Sequence, residues 1–412
     1  MTNVGFTGPY ADVNFGDYAM LVNNIAALEL SAATIFSYDD GFLEKLVTDY
    51  FPSVNPTIVG VELDNLPEGR GLTERPLTGF EVVALLRNET ALRAAIEPLD
   101  VLVVNGGGYL NELWARPHRQ MRLLQILAPA MLAAEMGKRV IFSANGIGPF
   151  SSSLDSMANL LAGLPTATLH VRDQLYSPMW ARRLGVADDR IRHAPDDLLL
   201  IHDSLLSRPQ RLVSRRSRPY VVVETYQPVE ELREQLDMWR QFVDRMDSER
   251  GCDVVFLPLH LGGGGVDQAL LLSEEIGMSW IDIRETGYLP IEDAVALIES
   301  AELVISGRYH ALVLALAAGT PVLSVLREVA GDLGYYYSKN AGVLRASRPS
   351  AGVRELDYLM TSTSAAFDRA TTAFDDVRRR QLADAEAESA EAQATVASLR
   401  QHLIDDILGG RA

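Results

Sequence analysis

Cysteine is nearly absent from this chain of 412 residues; Cys252 is the only one. A single cysteine can close no internal disulfide and can build no cysteine-based zinc site. Cys252 precedes the apolar run Val254-Val255-Phe256-Leu257 and reads as core. Long hydrophobic runs are also lacking. The longest, 311–326, is interrupted by Gly319, Thr320 and Pro321. It predicts a short helix, a turn and a strand rather than a membrane span of about 20 residues. No basic stretch followed by an apolar segment opens the chain, so no signal peptide and a cytoplasmic location are expected. Basic residues are outnumbered, 37 against 55 acidic, for a formal charge of −18. That balance argues against nucleic acid or an anionic membrane as a general partner. An anionic substrate in a small basic pocket remains compatible with it. There is no HExxH, and no carboxylate cluster has metal-ligand spacing, so neither a structural metal nor a cofactor is expected.

What is present is ordinary for a globular protein: 48% apolar, 22% charged and 7% aromatic residues. The length suffices for two cores. Short β-branched runs alternate with helical patterns, which predicts α/β architecture with parallel sheets covered on both faces. Strands are expected at 4–7, 34–37, 57–61, 101–104, 139–142 and 168–171, with an amphipathic helix at 121–136. The alternation pauses at 204–218, a polar stretch with five arginines, read as a solvated interdomain linker. It resumes with strands at 220–224, 253–257, 303–306 and 321–325 and helices at 229–250, 266–276 and 309–318. The expected organisation is an N-terminal Rossmann-like domain at 1–203, the linker, a C-terminal Rossmann-like domain at 219–355 and a helical tail at 356–412. The tail is rich in Ala, Glu, Asp, Arg and Gln and reads as a long, mostly exposed helix. A dimerising coil is the alternative, although the apolar positions keep no clean heptad. Homo-oligomerisation stays open.

Four glycine-containing loops follow strand candidates: Asn14-Phe15-Gly16-Asp17, Asn105-Gly106-Gly107-Gly108-Tyr109-Leu110, Asn145-Gly146-Ile147-Gly148-Pro149 and Gly262-Gly263-Gly264-Gly265. Glycine lets backbone N–H groups face a ligand closely. None fits G-x-G-x-x-G or the P-loop pattern. Together they predict a ligand cleft at strand carboxyl ends. The sharpest element is Ser306-Gly307-Arg308-Tyr309-His310, where a strand turns into an apolar helix. Arginine suits carboxylate or phosphate, and the neighbouring histidine can move a proton near neutral pH. Arg172, after the strand at 168–171, is a second anion candidate, with an exposed pair to Asp173 as the bland alternative. Asp196 and Asp197 read as cleft residues or caps. His260 is expected to line the cleft.

In order along the chain, NFGD, VVNGGGYL, ANGIGP, HVRD, APDD and ISGRYHALVLALAAGTPV resemble the polysaccharide pyruvyltransferase family, over about 5–325. The resemblance implies two Rossmann-like domains facing a cleft, a fold similar to GT-B glycosyltransferases. It implies phosphoenolpyruvate as donor substrate and a sugar or glycan acceptor with two nearby hydroxyls, giving a pyruvate ketal. Arg308, His310 and Arg172 match the family's donor-site positions. One segment departs: members often read Tyr-Asp-x-Lys shortly after the Gly-x-Pro turn, where this chain has Leu326-Arg327-Glu328-Val329. Arg327 is the candidate substitute.

On this reading His310 is the general acid and Arg308, Arg172 and Arg327 bind the donor. The acceptor side draws on Asn14, Asp17, Asn105, Gly106, Gly107, Asn145, Asp197, His260 and Tyr309, with Asp17 or Asp197 orienting or deprotonating a hydroxyl. The alternatives are a GT-B glycosyltransferase using a nucleotide-sugar and a non-catalytic family member.

Overall fold

The computed structural model describes residues 2–10, 13–39, 41–213, 216–261, 265–328, 333–348, 354–388 and 390–409. The glycine run at 262–264, Val329 and two positions of the 204–218 stretch lie outside the described residues. The chain condenses into two compact units. One comprises Met1–Asp12, Asp17–Asp197 and Thr395–Ala412; the other comprises Val13–Gly16 and Leu198–Ala394.

The first unit is built on strands β1 (Val4–Thr7), β2 (Ala32–Ser37), β3 (Asn55–Gly60), β4 (Val101–Val104), β5 (Gly107–Leu110), β6 (Arg139–Ile147), β7 (Thr168–Val171) and β8 (Ile191–His193). Their order is β3-β2-β1-β4-β6-β7-β8, with β5 paired to β6, and the pairings are parallel. Strands such as VGFT and VLVV are buried throughout, because helices cover both faces of a parallel sheet. The helix Gln120–Glu135 buries eleven residues, including Leu123, Ile126, Leu127 and Met131.

The second unit holds β9 (Tyr220–Glu224), β10 (Asp253–Phe256), β11 (Ser279–Trp280), β12 (Leu303–Ser306), β13 (Val322–Val325) and β14 (Leu359–Met360), in the order β11-β10-β9-β12-β13-β14, again parallel. Cys252 is buried in this core and free, as its apolar neighbourhood predicts. In each sheet the strand order reverses once, between β1 and β4 and between β9 and β12. Such switch points open a crevice outside the strand carboxyl ends, where ligands of these folds bind. Residues that follow Val104 in the first sheet, and those around Glu224 and Ser306 in the second, therefore stand at the switch points of their sheets.

Four expectations from the sequence need correction. The segments read as the second and third glycine loops are largely strand: Gly107–Leu110 forms β5, and β6 continues through Gly146 to Ile147. Glycine carries no β-propensity signal, so only the ladder reveals them. Ala144 has φ 48° and the β6–β7 register shifts between Phe142 and Asn145, a bulge that re-aims Asn145. The helix expected over 229–250 breaks at Gln235 into Val229–Glu234 and Leu236–Arg250. The described part of 204–218 is largely exposed, with Leu205 buried, and side chains of the helix Ile291–Glu299 hold it at two places. Arg208 pairs with the buried Glu292 at 3.3 Å. The N–H groups of Arg211, Leu212 and Val213 donate to Asp293 at 2.8–3.1 Å.

The tail differs as well. It is helical, but as Thr363–Thr372, Phe374–Glu386 and Ala390–Leu408 rather than as one exposed rod. Phe367 stacks on Phe242 with centroids 4.0 Å apart, and Phe374 and Val377 are buried beside it. On the last helix Leu403 and Ile407 are buried, and so is Arg400. Composition averaged over the three helices hides the narrow apolar stripe of each.

Among the described residues, no helix is long and apolar enough to cross a membrane.

Candidate functional site

In the second unit, the sequence VVVE runs β9 up to Glu224, and LVIS runs β12 up to Ser306, with Glu224 and Ser306 side by side in register. Glu224 is buried. Its Oε2 accepts from the Ser306 hydroxyl at 2.9 Å and from the Arg308 backbone N–H at 2.8 Å. Its Oε1 accepts from Arg308 Nε at 2.9 Å. Burial pushes the Glu224 carboxyl up, while Arg308 and Ser306 pull it back. Arg308 Nη1 also donates to Asn14 Oδ1 at 3.2 Å, and the guanidinium lies 4.3 Å from the centre of the Tyr226 ring. Arg308 is thus fixed on three sides, a pre-organised fork at a strand end.

His310 sits in the first turn of the helix Tyr309–Ala318 and is buried. A Cβ placed on Gly16 would stand 1.6 Å from His310 Nδ1. The imidazole therefore lies against bare backbone, and that glycine is what admits it. Asn14, whose backbone bridges His260, and Phe15, whose N–H donates to the Leu259 carbonyl at 3.0 Å, hold the segment in place. His260 takes part through its backbone; its carbonyl also accepts from the Val266 N–H. Arg327, just past β13, stacks 3.7 Å from the centre of the same Tyr226 ring and reaches the Tyr336 hydroxyl at 3.4 Å. Tyr309 is buried with Lys339 Nζ 4.4 Å from its ring centre.

In the first unit, a buried polar network lies past β4 and along β6. Asn24 Nδ2 donates to Asn105 Oδ1 at 2.7 Å and to Asp197 Oδ2 at 3.1 Å. Ser143 donates to Asp197 as well, and Asn23 Nδ2 donates to the Asp197 carbonyl at 2.6 Å. Arg400, from the last helix, donates to Asp197 Oδ1 and, at 2.5 Å, to Asn24 Oδ1. Burial raises the Asp197 carboxyl to about 6, with Arg400 pulling down and Asp196 pushing up. Gly106 is needed here, since a Cβ would stand 2.4 Å from Asp197 Oδ2. Gly107 has φ 152° and leaves room for the Tyr109 ring, whose hydroxyl donates to the Asn105 carbonyl at 2.7 Å. Asn145 Nδ2 donates to that carbonyl too. Asn105 Nδ2 and Asn145 Oδ1 are buried with no hydrogen-bond partner among the described residues. Asp17 is buried in the first turn of the helix Phe15–Ala27.

Arg172 packs its guanidinium over Gly146 and pairs with the buried Asp196 at 3.2 Å. The exposed Arg172–Asp173 pair does not form. Asp173 instead caps the helix Tyr176–Arg183, accepting from the N–H groups of Leu175, Tyr176 and Ser177 at 2.6–3.1 Å. Asp196 and Asp197 act as counter-ions rather than as simple caps.

Glu224, Tyr226, Lys339 and Arg400 were not singled out in the sequence. Glu224 had a readable signal, a carboxylate closing a run of three valines. Arg400 had none, because its partners lie about 200 and 376 positions away.

Solved structures that resemble the chain share its fold at low identity. The S. aureus MnaA–UDP co-structure has a TM-score of 0.58 at 13% identity, covering 100% of this chain and 98% of that one. UDP-GlcNAc 2-epimerase from Neisseria meningitidis, bound to UDP-GlcNAc, has 0.57 at 11%, covering 99% and 100%. The spinosyn rhamnosyltransferase complexed with thymidine diphosphate has 0.53 at 16%, covering 97% and 100%. These are GT-B-type glycosyltransferases and epimerases, so the fold class is GT-B-like. No curated protein matches the sequence. The sequence model described as polysaccharide pyruvyl transferase matches residues 14–328, a span that runs from Asn14 through Arg308, His310 and Arg327. With its switch-point cluster built from the residues that match carries, the chain belongs to the polysaccharide pyruvyl transferase family, a family of transferases.

Proposed function

We propose that this protein transfers a pyruvyl group from phosphoenolpyruvate to two hydroxyls of a sugar or glycan, in the cytoplasm and without a cofactor. The observation that carries the reading is the pre-organised Arg308 fork, braced by Glu224, beside an imidazole seated on Gly16. Phosphoenolpyruvate has a carboxylate for such a fork and a C3 that must gain a proton before C2 can be attacked.

His310 protonates C3, and the C2=C3 electron pair forms the new C–H bond. C2 becomes oxocarbenium-like, and a sugar hydroxyl adds to it, forming one C–O bond and losing its proton. The bond from C2 to the phosphate oxygen then breaks and phosphate leaves with that electron pair. A second hydroxyl closes the ketal and loses its proton, so the sum is phosphoenolpyruvate plus diol giving ketal plus phosphate. A positioned general acid contributes about 10²–10⁴-fold. Arg308 holds the donor carboxylate in place while C2 of the enol phosphate changes its bonding. The buried amides of Asn105 and Asn145 belong to the polar network of the first unit. Asp197, already bonded to Asn24, Ser143 and Arg400, orients that amide network rather than serving as base.

Calorimetry with phosphoenolpyruvate against a panel of nucleotide-sugars tests the reading. Binding of phosphoenolpyruvate and phosphate release with a diol sugar support it. Binding of a nucleotide-sugar with no response to millimolar phosphoenolpyruvate replaces it with glycosyl transfer.

A further inference from the structure

In the first unit, the chain leaves the carboxyl end of β5 at Leu110 and begins the helix Gln120–Glu135 on that same side of the sheet. Three arginines, Arg116, Arg119 and Arg122, fall in this stretch of a chain whose net charge is −18. No Asp or Glu occurs between Glu112 and Glu135. Both of those carboxylates are engaged elsewhere. Glu112 accepts from the serines at 151–153 at 2.5–3.2 Å, and Glu135, at the far end of the helix, pairs with Arg93. Among the described residues, neither Arg116 nor Arg119 meets a carboxylate in an ion pair.

The backbone sets these two arginines one tight turn apart. The Arg116 carbonyl accepts from the Arg119 N–H at 2.9 Å and from the Gln120 N–H at 2.8 Å. A four-residue turn closed in this way keeps its end Cα atoms within about 7 Å. Pro117 stands second in it, where a fixed φ suits the bend. The Arg119 guanidinium lies 5.5 Å from the centre of the buried Trp114 ring, which holds a cation without cancelling its charge. Arg119 is also the N-cap of its helix, whose first turn has no acidic residue and no side-chain cap. The helix dipole therefore adds partial positive charge beside the two forks. The Leu72 N–H donates to Gln120 Oε1 at 2.8 Å, which fastens the turn bearing the exposed Arg75 to the same helix start.

We infer that Arg116 and Arg119 form a diphosphate subsite on the carboxyl-end side of the first sheet, and that the acceptor is a sugar carried as a diphosphate ester. A neutral glycan gives two guanidinium forks nothing to pair with. A diphosphate presents two adjacent phosphates, each able to take a fork, and a helix N-terminus suits the remaining oxygens. Nucleic acid and a bare anionic membrane fit less well, because the rest of the chain repels both. The inference rests on the pyruvyl reading for the sugar and names its carrier; the diphosphate contact is tested separately.

The experiment is calorimetry on the full chain with uridine diphosphate, geranyl diphosphate, phosphatidylglycerol vesicles and phosphoenolpyruvate. At least one diphosphate ester should bind, and which one does separates a nucleotide carrier from a lipid carrier. Arg116→Met and Arg119→Met should each weaken that ester at least 10-fold and leave phosphoenolpyruvate within about 2-fold. Binding of the ester should also weaken as salt is raised. Arg119→Lys should recover only part of the loss, since lysine keeps the charge but not the fork. Both arginines are half-buried, so melting curves should stay near those of the parent and separate lost binding from lost folding. If neither ester binds the parent at millimolar concentration, or both Met variants bind it like the parent, the subsite is wrong and the pyruvyl reading stands on phosphoenolpyruvate. If the Met variants lose phosphoenolpyruvate as well, the arginines belong to the donor and the subsite falls. Vesicles bound through Arg116 with no response to either soluble ester replace the subsite with a membrane contact. If an ester binds through these arginines and phosphoenolpyruvate does not bind at all, the subsite stands and the pyruvyl reading falls.

Discussion

A methyl group on Gly16 would stand 1.6 Å from His310 Nδ1, so Gly16→Ala must displace the imidazole or the first turn that carries it. Alanine is otherwise the better helix residue. We therefore expect Gly16→Ala to keep phosphoenolpyruvate affinity within a few-fold, through Arg308, while phosphate release falls by about 10²-fold or more. His310→Gln should do the same without a clash, since an acid acting in the transition state adds little to donor binding. The loss corresponds to a barrier rise of at least about 2.7 kcal/mol. Near-parental phosphate release by His310→Gln removes it from the mechanism. At this scale the sequence named Arg308, His310 and Gly16, because a strand-to-helix turn is a local pattern. It did not name Glu224 as the carboxylate that fixes Arg308, because β9 and β12 are adjacent only through the sheet, 84 positions apart.

The last helix, Ala390–Leu408, carries two contacts that tie it to the first unit. Arg400→Met would leave the buried Asp197 carboxylate without its cation, at a cost of about 3–5 kcal/mol in urea unfolding. Asp197→Asn in the same chain should recover part of that loss, because both charges are then gone. If the single and double variants are equally stable, the pair is not the anchor. The second contact is His170 Nε2 with Asp406 at 2.8 Å. Burial pushes the His170 imidazole down to about 4, against the Asp406 carboxylate, which raises it. A depressed histidine stays neutral in the fold but protonates in the unfolded chain below about 6.5. Its stabilising contribution is therefore complete above about 6.5 and is lost as pH falls through about 4. His170→Gln should be less stable than the parent at pH 7.5, and the gap should narrow by up to about 3 kcal/mol by pH 4. A pH-independent gap in paired melting curves would overturn this. Helicity of the tail was readable from its Ala, Glu and Arg content. Its division into three packed helices was not, since each buries only a few residues against partners far away in sequence.

For the whole molecule, a ligand that binds the native state raises stability by mass action, by about 2.7 kcal/mol at 100 times its dissociation constant. Phosphoenolpyruvate at 100 times its dissociation constant should raise the unfolding free energy read from urea titrations by that order in the parent and in His310→Gln, and much less in Arg308→Met. An equal rise in Arg308→Met would place the donor elsewhere. The sequence by itself determined the two alternating strand–helix sets, the parallel sheets, the GT-B-like class, the family and the turn that bears Arg308 and His310. The strand–helix sets, the sheets and the turn follow from patterns a few to a few tens of residues long, namely buried apolar runs, period-3.6 faces and glycines at strand ends, whereas the GT-B-like class and the family follow from the resemblance that the ordered motifs carry. Tertiary structure alone decided which carboxylate meets which arginine: Asp196 with Arg172, Asp197 with Arg400 and Glu224 with Arg308. It also decided that β5 and the far end of β6 are strands, that Ala144 forms a bulge and that Arg327 shares the Tyr226 ring with Arg308. The physical reason is common to these cases. A counter-ion, a ladder partner or a shared ring is chosen by adjacency in space, and strand order sets that adjacency through crossovers that leave no local mark on the chain.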